Sequence, residues 1–387
     1  MKIAVSTTTR FHMFDLARQI VRQGNSLAIY TGYPSFLMDP DLRPYARTHP
    51  GRVILENIRW RFPPPPRTTW WADQTLEDFG QWLGRNISPE MEILDALAGT
   101  GLEAGRALRK NGRPWICNRG STHILTQKQT LEEEHARWGV PAPFYSSQGL
   151  SRALAEYEEA DAIVVPSEFA RNSFLKRGFP SEKISCCPYG VDLSLFSPRN
   201  QSSKNHPFRV VFLSGCSVRK GIGYLLEAMR PLVLQKAAET WLIGSVHEQA
   251  RPLLARHSGE FILHGVQPRA KLVDYLSKCD VMVLPSVEEG LALVIAQAMA
   301  CGLPVIATPN TGADELMEDG IQGFIVPARN AEAIREKVLW LRDHPDRRAR
   351  MGVAAMERVR SLGGWGDYGR RALQLYRELI ARQGRAV

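Results

Sequence analysis

Residues 281–308 contain the feature that most restricts the fold of this chain. The run V-M-V-L at 281–284 is short and apolar, as in a strand buried on both faces of a parallel sheet. An acidic loop follows, then an apolar segment that predicts a helix, and then Gly302 and Pro304, which end helices. This strand–loop–helix unit predicts an open α/β sheet. It places Glu288 and Glu289 at the carboxyl end of a strand, where such sheets bind ligands.

The alternation of short apolar runs and amphipathic segments occurs twice along the chain. The first series predicts strands at 2–6, 26–31, 53–58, 92–98, 115–118, 162–165 and 184–187. After a polar tract at 199–207 that indicates a linker, a second series predicts strands at 209–213, 240–243, 261–263, 281–284, 304–307 and 323–326. The predicted domains are therefore residues 1–190 and 191–365, with a C-terminal helix at 366–387 that packs back toward the first domain.

Composition limits the class of protein and its partners. The chain has 387 residues, of which 44% are hydrophobic and 23% charged, as in globular proteins. Its apolar runs fall short of the roughly 18 residues that span a bilayer, and its N-terminus lacks the long apolar core of a signal peptide. The six cysteines have no metal-binding spacing, which favours free thiols in a reducing compartment and a cytoplasmic location.

The formal net charge of +9 leaves several partners open. Surplus positive charge suits phosphorylated substrates, an anionic membrane or nucleic acid. Zinc-knuckle spacing and RNA-binding aromatic patterns are missing from the sequence, so we expect no nucleic acid partner. Cations and tryptophans mix at 59–62 and 70–71, which fits peripheral contact with the inner face of a membrane as well as core tryptophans beside surface arginines.

Four segments together resemble the retaining glycosyltransferases of family 4 (group 1), which have the GT-B fold. They are C-P-Y-G-V-D at 187–192, S-V-R-K-G at 217–221, V-L-P-S-V-E-E-G-L-A-L at 283–293 with its following helix, and the segment 310–327. Their order and spacing agree with the family through most of the chain. The resemblance implies two Rossmann-like βαβ domains facing each other across a cleft, with the acceptor on the N-terminal domain and a nucleotide-sugar of UDP or GDP type on the C-terminal domain.

The resemblance also implies how the donor phosphates are held. Family members transfer a sugar from a nucleoside diphosphate, on which negative charge grows as the glycosidic bond breaks. Lys220 and Arg219 match the basic loop that stabilises this charge. Leu293 begins the helix whose free amides favour an anion.

The acidic loop matches the sugar-binding part of the family motif. Glu289 corresponds to the glutamate that bonds the hydroxyl groups of the donor sugar, and Gly290 and Leu291 follow it. Glu288 competes for this assignment, but the match in E-G-L-A-L favours Glu289. We therefore count Glu289 with Lys220 among the expected catalytic residues.

Four positions bear on nucleotide binding or depart from the family pattern. Gln297 stands where the family often carries a second glutamate that holds the ribose; an amide can still bond a diol, without charge. The base is expected at the backbone of Gly265 and Val266, after the strand at 261–263. Ala292 replaces a usual glycine. These departures keep open a non-catalytic GT-B protein that binds nucleotide-sugars.

The N-terminal domain is expected to hold the acceptor, a hydroxyl group on a glycan, a glycolipid that can be lipid-linked, or a small glycoside. Arg10 and His12 follow the first strand, and Arg119 follows the strand at 115–118. His123 lies in a region where the family commonly places a histidine near the reacting sugar, so it is a third expected catalytic residue.

The family needs no metal or other cofactor, and we expect none here. The D-x-D of Asp39 and Asp41 resembles a metal motif of another glycosyltransferase fold, but it lies in a loop of the wrong architecture. A separate rival is a dinucleotide-binding oxidoreductase that uses NADP, because Gly99, Gly101 and Gly105 have G-x-G-x-x-x-G spacing after a strand.

Overall fold

The computed structural model describes residues 1–59, 70–191, 194–198 and 206–383. They form two parallel sheets, each covered by helices. The seven strands of the first sheet have the order β3-β2-β1-β4-β5-β6-β7. Their bounds are β1 Lys2–Thr7, β2 Ser26–Thr31, β3 Ala46–Thr48, β4 Ile93–Leu97, β5 Trp115–Asn118, β6 Ala162–Val165 and β7 Ile184–Cys186. The helices that connect them are α1 His12–Arg22, α2 Gly51–Arg59, α3 Trp70–Asn86, α4 Leu102–Arg109, α5 Ile124–Trp138, α6 Ser147–Glu159 and α7 Glu168–Leu175.

The six strands of the second sheet have the order β10-β9-β8-β11-β12-β13. Their bounds are β8 Phe208–Leu213, β9 Ala238–Ile243, β10 Ile262–Gly265, β11 Val281–Leu284, β12 Val305–Ala307 and β13 Gly323–Ile325. The accompanying helices are α8 Ile222–Leu234, α9 Arg251–Arg256, α10 Arg269–Leu276, α11 Leu293–Ala300, α12 Ala313–Leu316, α13 Ala331–Asp343, α14 Pro345–Ser361 and α15 Trp365–Gln383. The prediction of two Rossmann-like α/β units is confirmed.

One predicted strand is wrong. Residues 53–58 belong to α2, and the third strand of the first sheet is the shorter β3. β-branched residues favoured a strand, but Val53 is buried whereas Leu55 is 56% exposed. In a strand these two side chains would share a face, whereas in a helix they point apart. Pro50 precedes the helix and accepts from the amide of Ile54 at 2.8 Å, which begins the helical pattern.

The two sheets meet at their topological switch points. In the first sheet the strand order reverses between β1 and β4, and in the second between β8 and β11. A crevice opens outside the carboxyl ends of the strands at such a point, because the connections leave in opposite directions. The loops after these four strands line a shared cleft, so the sheet order alone determines where a ligand can bind.

The last helix, α15, packs on the first domain although it follows the second. Its Tyr376 hydroxyl donates to Asp95 Oδ2 at 2.6 Å, and Asn118 Nδ2 donates to Asp95 Oδ1 at 3.1 Å. Asp95 lies on the central strand β4 and is buried. Burial raises the pKa of Asp95 to about 6, and its two hydrogen bonds only partly oppose this shift.

We expect this carboxyl group to make stability depend on pH. The folded state keeps the Asp95 proton up to about pH 6, whereas the unfolded chain loses it near 3.8. The free energy of unfolding should therefore fall as pH rises through that window, by about 3 kcal/mol. Asp95→Asn should flatten the dependence, measured as urea midpoints from pH 4 to 7. The exposed control Glu336→Gln should retain it, and an unchanged slope in Asp95→Asn would contradict the assignment.

Some segments with sequence predictions fall outside the described residues. Four consecutive prolines within 61–67 exclude regular structure and predict a surface loop. This stretch, part of the predicted linker at 199–207 and the side chains of the basic and aromatic segment at 59–62 lie outside the described residues. Among the helices that are described, none combines the length and apolar character needed to cross a membrane. All six cysteines are free, and five of them are buried.

Candidate active site

A cleft of about 880 Å³ lies between the two sheets. Residues that follow β1, β4 and β5 line one side, and residues that follow β8 and β11 line the other. Seven predicted site residues, from both domains, line the cleft: Arg10, His12, Arg119, Arg219, Lys220, Glu289 and Gly290. Leu291 and Leu293 also contact it.

The basic loop presents Lys220 through a tight turn. The amide of Lys220 donates to the Ser217 carbonyl at 3.2 Å, and Gly221 has φ of +72°. A Cβ at Gly221 would lie 1.9 Å from the carbonyl oxygen of Pro285, so only glycine fits between this loop and the end of β11. The close approach brings the Lys220 side chain to the acidic loop.

Lys220 and Glu289 form an ion pair on the wall of the cleft. Lys220 Nζ contacts Glu289 Oε1, to which Ser286 Oγ also donates at 3.2 Å. The Glu289 side chain is only 8% exposed, and Arg219 Nη2 lies 3.7 Å from its second oxygen. Arg219 is closer to Glu288, at 2.7 Å, so two cations and two carboxylates lie together at this wall. An anionic ligand would therefore bind by competing with Glu289 for Lys220.

Glu288 has a different environment from its neighbour. Its buried carboxylate accepts from Ser121 Oγ at 2.5 Å, from Thr122 Oγ1 at 2.7 Å and from Gln127 Nε2 at 3.0 Å, all in the opposite domain. Arg219 Nε donates to it at 2.7 Å. Burial alone would raise the pKa of Glu288, but Arg219 and these hydrogen bonds outweigh it and lower the pKa to about 2. Glu288 is therefore a charged tie between the domains.

The helix α11 begins at the cleft. Leu293 and Val294 of its first turn line the cavity, and Ala292 caps it without a side-chain hydrogen bond. Ala292 has φ of −84°, which any residue adopts, so the departure from glycine is accommodated without strain. Gln297 lies one turn further along the face of Leu293 and is partly buried.

His12 lies in the wall contributed by the first domain. Its Nε2 is 2.9 Å from Asn118 Oδ1, and its ring packs against Tyr189 with 4.4 Å between centroids. Burial lowers the pKa of His12 to about 3, so the imidazole is neutral. Since an amide oxygen only accepts, Nε2 carries the proton and Nδ1 keeps a lone pair. That Nδ1 has no hydrogen-bond partner among the described residues.

The two predicted arginines on this side, Arg10 and Arg119, differ in their partners. Arg10 is 54% exposed at the rim and pairs with Asp39 at 3.0 Å. Arg119 Nε donates to the Thr122 carbonyl at 3.0 Å, and its Nη2 donates to Gln127 Oε1 at 2.9 Å. Both contact the cleft as predicted, but only Arg119 is held by neutral groups.

His123 does not reach the cleft, which corrects its prediction as a catalytic residue. The imidazole packs among Tyr157, Phe174 and Phe179, with centroid distances of 5.0 to 5.6 Å. Its Nδ1 accepts from the amide of Leu125 at 3.2 Å and caps the start of α5. Burial, with smaller effects of Arg177 and Arg119, lowers its pKa to about 4. The sequence placed His123 after the right strand, but its side chain turns into the core.

The backbone amides of the glycine pattern that suggested an oxidoreductase already have a partner within the protein. The amides of Gly99 and Gly101 donate to the carboxylate of Glu156, at 2.5 and 2.8 Å. A Cβ at Gly105 would lie 2.4 Å from the Trp115 ring, so this glycine serves the packing of α4 on β5. A buried carboxylate thus fills the place that a dinucleotide phosphate would need, which argues against NADP binding.

Two family models match the chain. The model of Glycosyltransferase Family 4 matches residues 10–195, and that of Glycosyl transferases group 1 matches residues 207–344. Together they include most of both domains and the two halves of the cleft. The chain belongs to the group 1, family 4 glycosyltransferases.

Curated relatives and solved structures agree with this membership. The putative colanic acid biosynthesis glycosyltransferase WcaL of Escherichia coli is 29% identical over 208 residues, 50% of this chain and 51% of that protein. The chain thus spans about half the length of this relative. Sucrose-phosphate synthase from Thermosynechococcus elongatus superposes with a TM-score of 0.72 at 20% identity over 99% of this chain and 100% of its own. HepE of Anabaena in complex with UDP-glucose gives a TM-score of 0.65 at 17% identity over 100% of both chains. These similarities show that the family member has the GT-B fold.

Two predicted contacts of this family member lie away from the cleft. Gly265 ends the edge strand β10 with φ of +67°, and Val266 after it is 73% exposed. Neither belongs to the residues that line the cavity, so the predicted base contact would extend the ligand toward the sheet edge. Glu288 is the main site residue that was not predicted. The sequence shows two adjacent glutamates, and only Glu289 was assigned to the site.

Proposed function

We propose that this glycosyltransferase moves a sugar from a nucleoside diphosphate sugar, of UDP or GDP type, to a hydroxyl acceptor. The observation that carries the proposal is the ion pair of Lys220 and Glu289 on the cleft wall, with Arg219 beside it. A diphosphate that enters would take Lys220 as a partner, and the sugar hydroxyl groups would take the carboxylate. Fixed cations stabilise the charge of the leaving diphosphate more in the transition state than in the ground state, which lowers the barrier.

The first turn of α11 supports the same placement of the donor. Leu293 lies at the amino end of the helix and lines the cavity, where amide groups and the helix dipole favour phosphate. With the diphosphate there, Gln297 on the next turn is our candidate for the ribose contact, and Gly265 and Val266 for the base. Arg10, His12 and Arg119 remain for the acceptor.

We further propose that transfer retains the anomeric configuration and needs no divalent cation. Because Glu289 is held by Lys220, we assign it to sugar binding and name no protein nucleophile. The acceptor would attack the same face of the sugar from which the leaving group departs. The D-x-D carboxylates of Asp39 and Asp41 are both engaged by Arg18, which supports leaving them out of catalysis. Lys220 and Arg219 would supply the charge that a metal supplies elsewhere.

We propose a glycan acceptor, free or lipid-linked. The name of the relative WcaL, a putative colanic acid biosynthesis glycosyltransferase, supports this proposal. Free cysteines suit a reducing compartment, so we propose a cytoplasmic site of action. Contact with an anionic membrane stays a prediction, which flotation with anionic and neutral liposomes would test.

Assay of a nucleotide-sugar panel tests the function. We expect one UDP- or GDP-sugar to release its nucleoside diphosphate with the purified protein, faster when an acceptor is present and within twofold of the same rate in excess EDTA. The configuration of the new linkage is read from the anomeric proton by NMR. Binding of a nucleotide-sugar without release from any panel member would instead favour a non-catalytic binding protein, for which Gln297 is the main argument.

A further inference from the structure

A second cavity adjoins the cleft within the N-terminal domain. This side pocket, of about 290 Å³, lies between α3, the start of α5 and the segment that leads into α6. Ala98 and Arg119 line both the cleft and the side pocket, so the two spaces share a wall. The pocket is at the small end of the range for sites that bind small molecules, about 300 to 1000 Å³.

The side pocket is apolar on most of its surface. Leu76, Ile124, Leu150 and Ala153 contribute aliphatic groups, and Phe144 is 52% exposed at its edge. Exposed aromatic rings of this kind pack against the apolar face of a sugar or against an aglycone. The amphipathic Tyr145 lies next to Phe144 on the same wall.

Arg119 is a charged residue that lines both cavities. Its side chain donates to the Thr122 carbonyl and to the side-chain oxygen of Gln127, both of which are neutral. By contrast, Arg152 at the side pocket donates to both oxygens of Glu103, at 2.6 Å each. Among the residues that the structure describes, no carboxylate lies within 4 Å of Arg119. A partly buried guanidinium held by neutral groups favours an anionic partner.

We propose that the side pocket and Arg119 form the acceptor site, and that the acceptor is an anionic glycoside. A carboxylate or phosphate on the sugar would pair with Arg119 at the junction with the cleft. The apolar aglycone, or the next sugar ring, would lie against Phe144 and Leu76. The reacting hydroxyl would then point into the cleft toward the donor held at Lys220. This inference rests on the proposed function and specifies its second substrate.

Binding of matched glycosides tests the proposal. The probes are p-nitrophenyl glucoside, galactoside and mannoside, the uronic acid of each, and the 6-phosphate of each, titrated by calorimetry in the presence of UDP or GDP. We expect the best anionic probe to bind about tenfold or more tightly than its neutral counterpart, since a charge-assisted contact replaces a neutral one. The carboxylate and phosphate series distinguish the two sources of negative charge. Equal affinity of the neutral and anionic probes would overturn the proposal.

Variants assign the contacts. Arg119→Gln should abolish the advantage of the anionic probes and leave the affinity of the neutral ones within twofold. Phe144→Ala should weaken every p-nitrophenyl probe but leave free hexuronic acids unchanged. Arg106→Gln is the matched control, because Arg106 is an exposed arginine paired with Glu159 that lines neither cavity. If Arg119→Gln weakens charged and neutral probes equally, or if Arg106→Gln has the same effect, Arg119 is not the anion contact.

A donor measurement separates this inference from the proposed function. Donor affinity and the slow hydrolysis of the donor are measured on the wild-type protein without an acceptor, and the control Arg106→Gln should leave both within twofold. If neither nucleotide binds to the wild-type protein, the proposed function fails. If the donor binds and reacts while anionic glycosides have no advantage, only the acceptor assignment fails.

Discussion

Replacement of Lys220 by the uncharged residue methionine should lower kcat about 30- to 1000-fold. This is the largest effect we expect from a single substitution. The reason is the loss of a fixed charge that faces the leaving diphosphate, which is worth roughly 2–4 kcal/mol in a site sheltered from water. Lys220→Arg restores the charge on a differently shaped group and should recover part of the rate. The measurement is release of nucleoside diphosphate at saturating donor.

Two comparisons make the Lys220 result specific. Lys271→Met removes an exposed lysine of α10 in the same domain and should leave kcat unchanged. Lys220→Met also leaves Glu289 with the Ser286 hydroxyl and the longer contact to Arg219. A double-mutant cycle with Glu289→Gln should therefore show coupling between positions 220 and 289. Turnover within threefold of wild type in Lys220→Met would mean that another group stabilises the leaving group.

Replacement of Glu288 should open the cleft. Glu288→Ala leaves Arg219 without its nearest carboxylate, and leaves Ser121, Thr122 and Gln127 without their acceptor. Removing one partner of a buried charge pair costs about 3–5 kcal/mol, and here separation of the domains relieves part of that cost. We expect kcat/KM to fall more than tenfold and the radius of gyration in small-angle X-ray scattering to increase.

The pH dependence of closure has a defined sign. The pKa of Glu288 is lowered to about 2 from an ordinary 4.5, so the tie is fully charged above pH 4.5 and is lost only as pH falls toward 2. The compact form of the wild-type protein should therefore persist through the acid side of neutrality. Glu288→Gln, which cannot ionise, should be more open than wild type at pH 7.

Gly290→Ala tests closure without altering any charge. A Cβ at Gly290 would lie 2.1 Å from the carbonyl oxygen of Gly120 in the opposite domain, so the two loops could not approach. This variant should resemble Glu288→Ala in scattering. Glu289→Gln should stay compact, because Glu289 faces the cleft. A compact Glu288→Ala with normal activity would show that the tie does not control closure.

The fold could largely be predicted from the sequence, because strands buried on both faces are short continuous apolar runs that are easy to recognise. The run at 281–284 was found to the residue, as were the strands at 115–118 and 162–165. The prediction for 53–58 was wrong because the β-branched composition indicates a strand, whereas the burial of Val53 and the exposure of Leu55 fit a helix. Val53 lies close to Gly32, and such a contact between distant residues is not visible in local sequence preference.

The donor side of the site could be predicted and the interdomain contacts could not. Lys220 and Glu289 lie at strand ends within one sheet, so their loop positions already bring them together. Glu288 has Arg219 as a partner in its own domain, but its other side-chain partners lie in the opposite domain. Neither sequence spacing nor residue type indicates which of two adjacent glutamates turns toward that domain. The prediction for His123 was wrong for a related reason. Its position after a strand could be predicted, but the direction of the His123 side chain could not.

The return of α15 to the first domain means that the chain crosses between the domains twice, and the two crossings touch. A Cβ at Gly190, on the way out, would lie 2.3 Å from the amide nitrogen of Trp365, on the way back. Two neighbouring backbone connections at one edge of the cleft can act as a hinge, so we expect the domains to move mainly by rotation about it. The mouth of the cleft would then widen more than the edge beside the hinge, and a substrate would enter and leave through the mouth.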